Sequence, residues 1–370
     1  MKITDIKLHR LKSLGTVGEL VPAWPGASMR FTRGGGAFVA IETDAGLTGI
    51  GPGAGPALVE RAKELLVGEN PLRVERHAEQ IAHYLRGGGY GGGAGFDIAL
   101  WDLVGKAMGE PLVNVFGGGD AEVIPYASLI QLSTPEERAE QAARLAADDW
   151  QAIKLRLHHA TIAEDIETVR RVREAVGDTM TVMVDANQAQ SATPWQPGVR
   201  WDFVRALTTA RELEQLGVYW LEEPLPRYAF DDIARLNDST GLRIAGGENN
   251  VGLHEFTRML QGNVYDVLQP ESMVLQGITT LRRIATLAEA FGKSCVPHHG
   301  GGDIGVIAHL HLVASWSHAP YMELLHDPPI GDYHHRFAMF ADGPEVMDGV
   351  MRVPEAPGLG IEIDPDLIDP

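Results

Sequence analysis

The chain has 370 residues, 44% of them hydrophobic and 22% charged, and carries a formal net charge of −19 at pH 7. That length buries a large core and accommodates two structural units. The charge argues against nucleic acid and anionic membrane surfaces as partners, since both require basic patches, but not against a small anionic substrate held beside a metal.

The N-terminal stretch MKITDIKLHRLKS alternates polar and apolar residues and lacks the apolar core of a signal peptide. No run of about 18 apolar residues is present to span a bilayer. A cytoplasmic protein with no nucleic-acid or membrane partner is expected. Cys295 is the only cysteine, so no internal disulfide can form. Residues 37–53, AFVAIETDAGLTGIGPG, read as two strands around an Asp-Ala-Gly turn. PALVERAKELLVG and VERHAEQIAHYL read as helices. GFDIALWDLVGKAMG (95–109) is a helix with an apolar stripe, stopped by Gly109 and Pro111. Antiparallel strands followed by helices indicate an α+β unit over residues 1–120. Within it, RGGGYGGGAG (86–95) has no Lys-Ser/Thr after it and no βαβ context, so it reads as a loop before a helix and not as a phosphate cradle.

From residue 121 the pattern changes to short apolar strands alternating with amphipathic helices. The strands are IPYASL (124–129), 152–157, TVMVD (181–185), VYWLEE (218–223), RIAGGE (243–248), YDVLQP (265–270), KSCVPHH (293–299) and PYMELL (320–325). IAEDIETVRRVREAVG, WDFVRALTTARELEQLG and GITTLRRIATLAEAFG are helices between them. Near-continuous apolar strands in βα units argue a parallel sheet covered by helices. Eight strands suffice to close a barrel, although spacing alone leaves a doubly wound sheet open. A barrel domain over 121–328 is expected, followed by a C-terminal segment, 329–370, whose VMRVPEAPGLGIEIDPDL folds back on the first unit.

In such barrels the chemistry sits at the C-terminal strand ends. Three consecutive strands here end in Asp185, Glu222 and Glu248. Like charges that close repel and raise one another's pKa, and a hard divalent cation removes the cost. Carboxylates without Cys or His favour Mg2+, with Mn2+ as a second choice, over zinc. Glu223 neighbours Glu222 on a strand, so only one of the pair reaches the ion, and Glu222 is the choice. Glu271, His298 and Glu323 lie on the following strands.

The motifs VDAN (184–187), WLEEPLP (220–226), AGGEN (245–249), VLQPE (267–271) and VPHH (296–299), with DIALWDLVGKAMGEPLVNVFGG (97–118), resemble the enolase superfamily and, within it, the mandelate racemase-like acid-sugar enzymes. The resemblance covers nearly the whole chain. It implies an α/β fold, a modified TIM (β/α)-barrel with an N-terminal α+β capping domain completed by the C-terminal segment. It implies Mg2+ on Asp185, Glu222 and Glu248. It also implies removal of the proton α to a carboxylate to give an enediolate. Its acid–histidine dyad falls on Glu271 and His298, with Glu where Asp is usual, and His299 is expected to point away. Its Glu323 equivalent donates a hydrogen bond to the substrate carboxylate, which requires a protonated acid and a raised pKa. The capping loop PAWPGASMRF (22–31) is expected over the substrate.

In the strand QAIKLRLHH (151–159), Ile153, Leu155 and Leu157 alternate with Lys154, Arg156 and His158, which sets a cationic face opposite an apolar one. Many relatives carry Lys-x-Lys here, the second Lys being a base; this chain has Lys154-Leu155-Arg156. A guanidinium with pKa above about 12 is a clamp and not a base. Lys154 and Arg156 are therefore read as holding the substrate anion, with His158 one step further out. Asn187 and Asn249 are read as substrate or supporting contacts. With His298 as the one evident base, the expected function is a metal-dependent lyase that dehydrates an aldonic or aldaric acid to a 2-keto-3-deoxy acid. An epimerase or lactone cycloisomerase is the alternative, and a sugar-acid binding protein without turnover is a third reading. The expected partners are an acid-sugar substrate and further copies of the chain in a homo-oligomer.

Overall fold

The computed structural model describes every residue except 23–27, 86–89, 191–197 and 370. The middle of the capping-loop motif and the start of the glycine run therefore lie outside the described residues.

Strands β1 (Ile3–Arg10), β4 (Ala37–Thr43) and β5 (Thr48–Pro52) form an antiparallel sheet, with β4 central. The Asp44-Ala45-Gly46 turn joins β4 to β5, and Gly46 takes the positive φ (76°) that the turn requires. Strands β2 (Ser13–Leu20) and β3 (Met29–Gly34) form a separate hairpin. Part of the segment expected as a capping loop is thus strand.

Three helices follow, Pro56–Leu66, Val74–Tyr84 and Ala94–Met108. The third lies directly on the backbone of β5. A Cβ on Gly51 would sit 2.0 Å from the carbonyl oxygen of Gly95, and one on Gly49 would sit 2.1 Å from that of Ala99. The glycines of TGIGPG are there because helix and strand touch without side chains between them. Asp102, on the same helix, accepts from the backbone N–H of Ile50 (2.9 Å) and of Leu359 (2.8 Å), tying β5 to the C-terminal segment.

After the short β6 (Glu122–Val123) come the eight strands foreseen from the sequence. They are β7 (Pro125–Ser128), β8 (Ala152–Arg156), β9 (Thr181–Asp185), β10 (Trp220–Glu222), β11 (Arg243–Gly246), β12 (Val267–Leu268), β13 (Ser294–Cys295) and β14 (Met322–Leu325). Each pairs in parallel with the next from β7 to β13, and β14 pairs in parallel with β7, so the sheet curls until its last strand meets its first. At the β13–β14 seam the Cys295 N–H donates to the carbonyl of His318 (3.1 Å). The helices between strands begin where the sequence supplies caps: Thr134 with Glu137, and Thr161 with Glu164, form capping boxes.

Alternation along the strands sorts residues into two cores. Ile153, Leu155, Val182, Val184, Leu221 and Ile244 belong to the main core under the helices. Tyr126, Ala152, Met183, Trp220, Ala245, Val267 and Val296 form a second cluster that plugs the barrel. Beyond β15 (Val346–Met347) and β16 (Val350–Arg352), of which β16 pairs with both β15 and β6, the chain returns to the first unit, with bridges at Pro111–Gly358 and Leu11–Ile368.

The helix-on-strand contact leads to a specific expectation. Gly51→Ala is expected to lower unfolding free energy by about 3 kcal/mol or more, because backbone and not a flexible side chain must move. Urea unfolding followed by circular dichroism measures it; a loss below about 0.5 kcal/mol would show that the helix can slide.

Candidate active site

The register of the parallel strands assembles the site. Arg156 on β8 pairs with Asp185 on β9, and Asp185 pairs with Glu222 on β10. One cation and two carboxylates therefore stand in a row across three strands. Glu248 lies two residues beyond β11, the next strand, and joins them. One carboxylate oxygen from each of Asp185, Glu222 and Glu248 lies within 4.8 Å of the others. Glu222 supplies this triad, not Glu223, whose φ of 45° breaks the strand geometry.

The cationic face of β8 faces these acids and not water. Lys154 has no exposed surface. Its Nζ lies 2.9 and 2.8 Å from the two Glu222 oxygens and 2.9 Å from Glu323. Arg156 pairs with Asp185, and its Nε and Nη2 donate to the Leu129 carbonyl (2.9 Å) and Ser128 Oγ (3.1 Å). Gln269 Nε2 donates to Glu222 (2.8 Å). Burial, then Asp185, pushes the Glu222 carboxyl up to about 8 despite Lys154. Burial also raises Asp185, and burial followed by Glu248 and Asp185 raises Glu223 well above the usual range.

Three buried, mutually crowded carboxylates with an all-oxygen donor set fit a hard divalent cation. The same crowding that raises their pKa values is what such an ion relieves.

Next to the triad is the dyad. Glu271 Oε2 accepts from His298 Nδ1 at 2.6 Å, so the longer Glu arm does reach. Glu271 is fixed by the backbone N–H groups of Met273 (2.9 Å) and Gly300 (3.0 Å). Burial alone would raise its pKa, but His298 outweighs burial and holds it at about 2. His298 Nε2 lies 3.2 Å from Glu248. Burial works against the imidazolium, yet Glu248, Glu323 and Glu271 together raise its pKa to about 10.

A cavity of about 540 Å3 opens over this group, lined among others by Arg156, Asn187, Glu248, Asn249, Glu271 and His298. Asn187 donates from its backbone (2.7 Å) and its Nδ2 (3.0 Å) to Asp185, and Asn249 Nδ2 donates to Glu248 (2.8 Å). Both asparagines thus brace triad carboxylates while facing the cavity. Met29, of the capping motif, and Tyr90, of the glycine run, also reach it.

Several expectations need correction. Glu323 is not set up as a protonated donor: burial raises its pKa, but Lys154 and then His298 outweigh burial and hold the carboxyl below the usual range. It is an anionic partner for Lys154. Lys154 itself is not among the cavity-lining residues, because Glu222 and Glu323 engage it below the floor. His299 faces the cavity, since β13 ends at Cys295 and strand alternation does not extend to it; burial and His298 lower its pKa to about 4. His158 lines a different depression, beside Thr134 and Glu164. Gln269, Tyr90, Arg227 and Arg336 reach the site or its cavity without any local signal in the sequence.

Fold and site together give a capped (β/α)-barrel with three carboxylates that could hold a cation and, beside them, a histidine hydrogen-bonded to an acid. Comparison with known proteins agrees. Residues 137–367 match the enolase C-terminal domain-like family, and residues 27–117 match the mandelate racemase / muconate lactonizing enzyme N-terminal domain. The chain is 30% identical to D-galactarolactone cycloisomerase of Agrobacterium fabrum, over 100% of this chain and 98% of that one. It is 33% identical to 3,6-anhydro-alpha-L-galactonate cycloisomerase of Streptomyces coelicolor, over 88% of each, and 29% identical to arabinonate dehydratase of Saccharolobus solfataricus, over 75% and 71%. A solved racemase from Streptomyces coelicolor with bound magnesium superposes with a TM-score of 0.82 at 29% identity, covering 99% of this chain and 100% of that one. The chain belongs to the enolase superfamily, in its mandelate racemase-like subgroup.

Among the described residues no helix is long and apolar enough to cross a membrane. Addition of MgCl2 is expected to raise the thermal unfolding midpoint reversibly, with EDTA restoring it. The stabilisation should approach about 2.7 kcal/mol at a hundred times Kd. An equal shift in a Glu222→Gln, Glu248→Gln variant would place the ion elsewhere.

Proposed function

We propose that this enzyme performs a one-base β-elimination on an acid sugar, most directly the dehydration of an aldonic or aldaric acid to a 2-keto-3-deoxy acid. The observation that carries this is the asymmetry of the cavity: His298, set by Glu271, is a base on one side, whereas Arg156, locked to Asp185, is no base on the other. Inverting one carbon by proton exchange requires a base on each face, so racemisation fits poorly.

Mg2+ on Asp185, Glu222 and Glu248, when bound, would stabilise the negative charge that develops on the substrate carboxylate as the α-proton leaves. The chain's own residues do the rest. Glu271 holds Nδ1 of His298, and an ion on Glu248 would offset the largest of the charges that keep the imidazole protonated, which leaves Nε2 to take the α-proton. The Cα–H electron pair forms the enediolate and then the Cα–Cβ double bond. The Cβ–O bond breaks, its electron pair stays on oxygen, and His298 returns the proton, so water departs. The enol ketonises to the 2-keto-3-deoxy acid. Arg156 stays a cation beside the reacting carbon, and Asn187 and Asn249 keep their carboxylates in place.

A second reading differs only in the leaving oxygen. If it belongs to a ring, the same proton abstraction opens a lactone or anhydro sugar and gives an isomer, with no loss of water. The two cycloisomerases among the relatives favour it.

A screen of aldonic and aldaric acids and their lactones with Mg2+ in D2O, followed by NMR and product mass, separates these outcomes. Keto acid one water lighter than its substrate is expected, abolished by EDTA and reduced at least about a thousandfold by His298→Asn. A keto acid isomeric with its substrate would select ring opening. Deuterium at Cα of recovered substrate, with no keto acid, would overturn elimination in favour of epimerisation.

A further inference from the structure

Helix Ile304–Ala314 is buried along its whole length, and it carries two histidines among otherwise apolar residues. One of them is structural. His311 accepts from the Val113 N–H at Nδ1 (3.1 Å) and donates from Nε2 to the Leu359 carbonyl (3.0 Å), which ties the barrel to the first unit and to the C-terminal segment. His309, only 1% exposed, makes no such tie. Its Nε2 lies 2.8 Å from the Ser272 hydroxyl, and its Nδ1 has no hydrogen-bond partner among the described residues. Ser272 Oγ lies in turn 3.2 Å from Oε1 of Glu271, the acid that holds His298. His309, Ser272, Glu271 and His298 therefore stand in one hydrogen-bonded line. Glu271 and His298 line the cavity, whereas Ser272 and His309 lie behind its wall.

The protons in this line run one way. Burial lowers the His309 pKa, which keeps the ring neutral with a single N–H. An orphaned buried N–H is rarer than an orphaned acceptor, so the proton belongs on Nε2, where Ser272 can accept it. The one hydroxyl proton of Ser272 is then left for Glu271 Oε1. Glu271 thus accepts two bonds at each oxygen: from Ser272 and the Met273 N–H (2.9 Å) at Oε1, and from the Gly300 N–H (3.0 Å) and His298 Nδ1 (2.6 Å) at Oε2. The carboxylate plane cannot turn without breaking one of them. Ser272 is the one hydroxyl rotor among these donors, and His309 is what stops it. We propose that His309 and Ser272 are positioning residues of the dyad: His309 orients the Ser272 hydroxyl, the hydroxyl fixes the Glu271 carboxylate, and the carboxylate presents His298 Nε2 to the substrate, a role that rests on the reading of His298 as the base. Neither residue touches substrate.

The first readout needs no substrate. In the Mg2+-loaded protein the His298 Nδ1 proton, held on Glu271 at 2.6 Å, gives a downfield imidazole NMR signal, identified by its loss in His298→Asn. S272A and H309F are each expected to displace that signal. H309Q, whose amide nitrogen can still donate to Ser272, is expected to leave it near its wild-type position. A signal unmoved in both S272A and H309F overturns the proposal whatever the reaction. Displacement in H309F alone would trace to the changed ring and also overturn it. The second readout is turnover of the acid sugar that the substrate screen identifies. S272A and H309F are each expected to lower kcat about tenfold with KM unchanged, and the double variant to lower it no further, because both cut the same line. Losses that multiply in the double variant, or a kcat unchanged in both single variants, overturn the proposal. Where H309F does not fold, S272A, which removes a single oxygen, and H309Q carry the same readings. A displaced signal in a protein that turns over no acid sugar keeps the positioning role and sinks the acid-sugar reading.

Discussion

Carboxylates gathered in a dry barrel mouth repel one another, and that repulsion has to be cancelled whether or not a ligand is present. At 4 Å and an effective dielectric of about 20, each like-charged pair costs roughly 4 kcal/mol. Here Asp185, Glu222 and Glu248 meet, with Glu223, Glu271 and Glu323 close by. The chain answers with its own cations. Lys154 sits between Glu222 and Glu323, Arg156 closes on Asp185, and His298 bridges Glu271 and Glu248. The opposed charges are not scattered partners found by long side chains. Arg156, Asp185 and Glu222 are register neighbours, so the backbone ladder that closes the barrel also sets the charge pairing.

Packed elements on every side hold those charges in place. The plug of Tyr126, Trp220 and Met183 fills the barrel, with Lys154 Nζ 5.4 Å from the Tyr126 ring. The capping unit grips from above, with its longest helix set against bare glycine backbone. Trp101 and Asp97 of that helix bind Thr279 across the boundary, at 2.7 Å from indole to hydroxyl and 2.7 Å from hydroxyl to carboxylate. Met29 and Tyr90 then come to the cavity from the cap, and Arg336 from the C-terminal segment. The barrel supplies the carboxylate triad and the dyad, and elements outside it help shape the cavity above them.

Much of this was legible in the sequence because parallel strands buried on both faces leave apolar runs, and strand-end carboxylates break those runs at regular intervals. All eight barrel strands were visible for that reason, as were Asp185, Glu222 and Glu248. The β2–β3 hairpin was not, because β2 is exposed on both faces and has no alternation to read. His299 and Glu323 were misjudged for a related reason. Local alternation says nothing once a strand has ended, and the protonation of an acid depends on a lysine 169 positions away in the chain, which only the barrel brings to 2.9 Å (323 − 154). Arg227 and Arg336 had no signal at all: a lone arginine in a loop acquires meaning only from what else faces the same cavity.

The return of the C-terminal segment bears on how the protein is made. Lys12 donates through its backbone to Leu367 (2.8 Å) and through Nζ to the Asp366 carbonyl, 354 positions away, while Arg10 accepts from Asp369. During synthesis the first sheet therefore emerges long before its last hydrogen-bonding partners. The early segment must wait, incompletely satisfied, until the whole barrel has been translated and has closed. Loop closure on that scale slows folding and prolongs the exposure of apolar surface. In such a topology the burden falls on the nascent chain, whose first sheet and last strand segment complete each other only at the end.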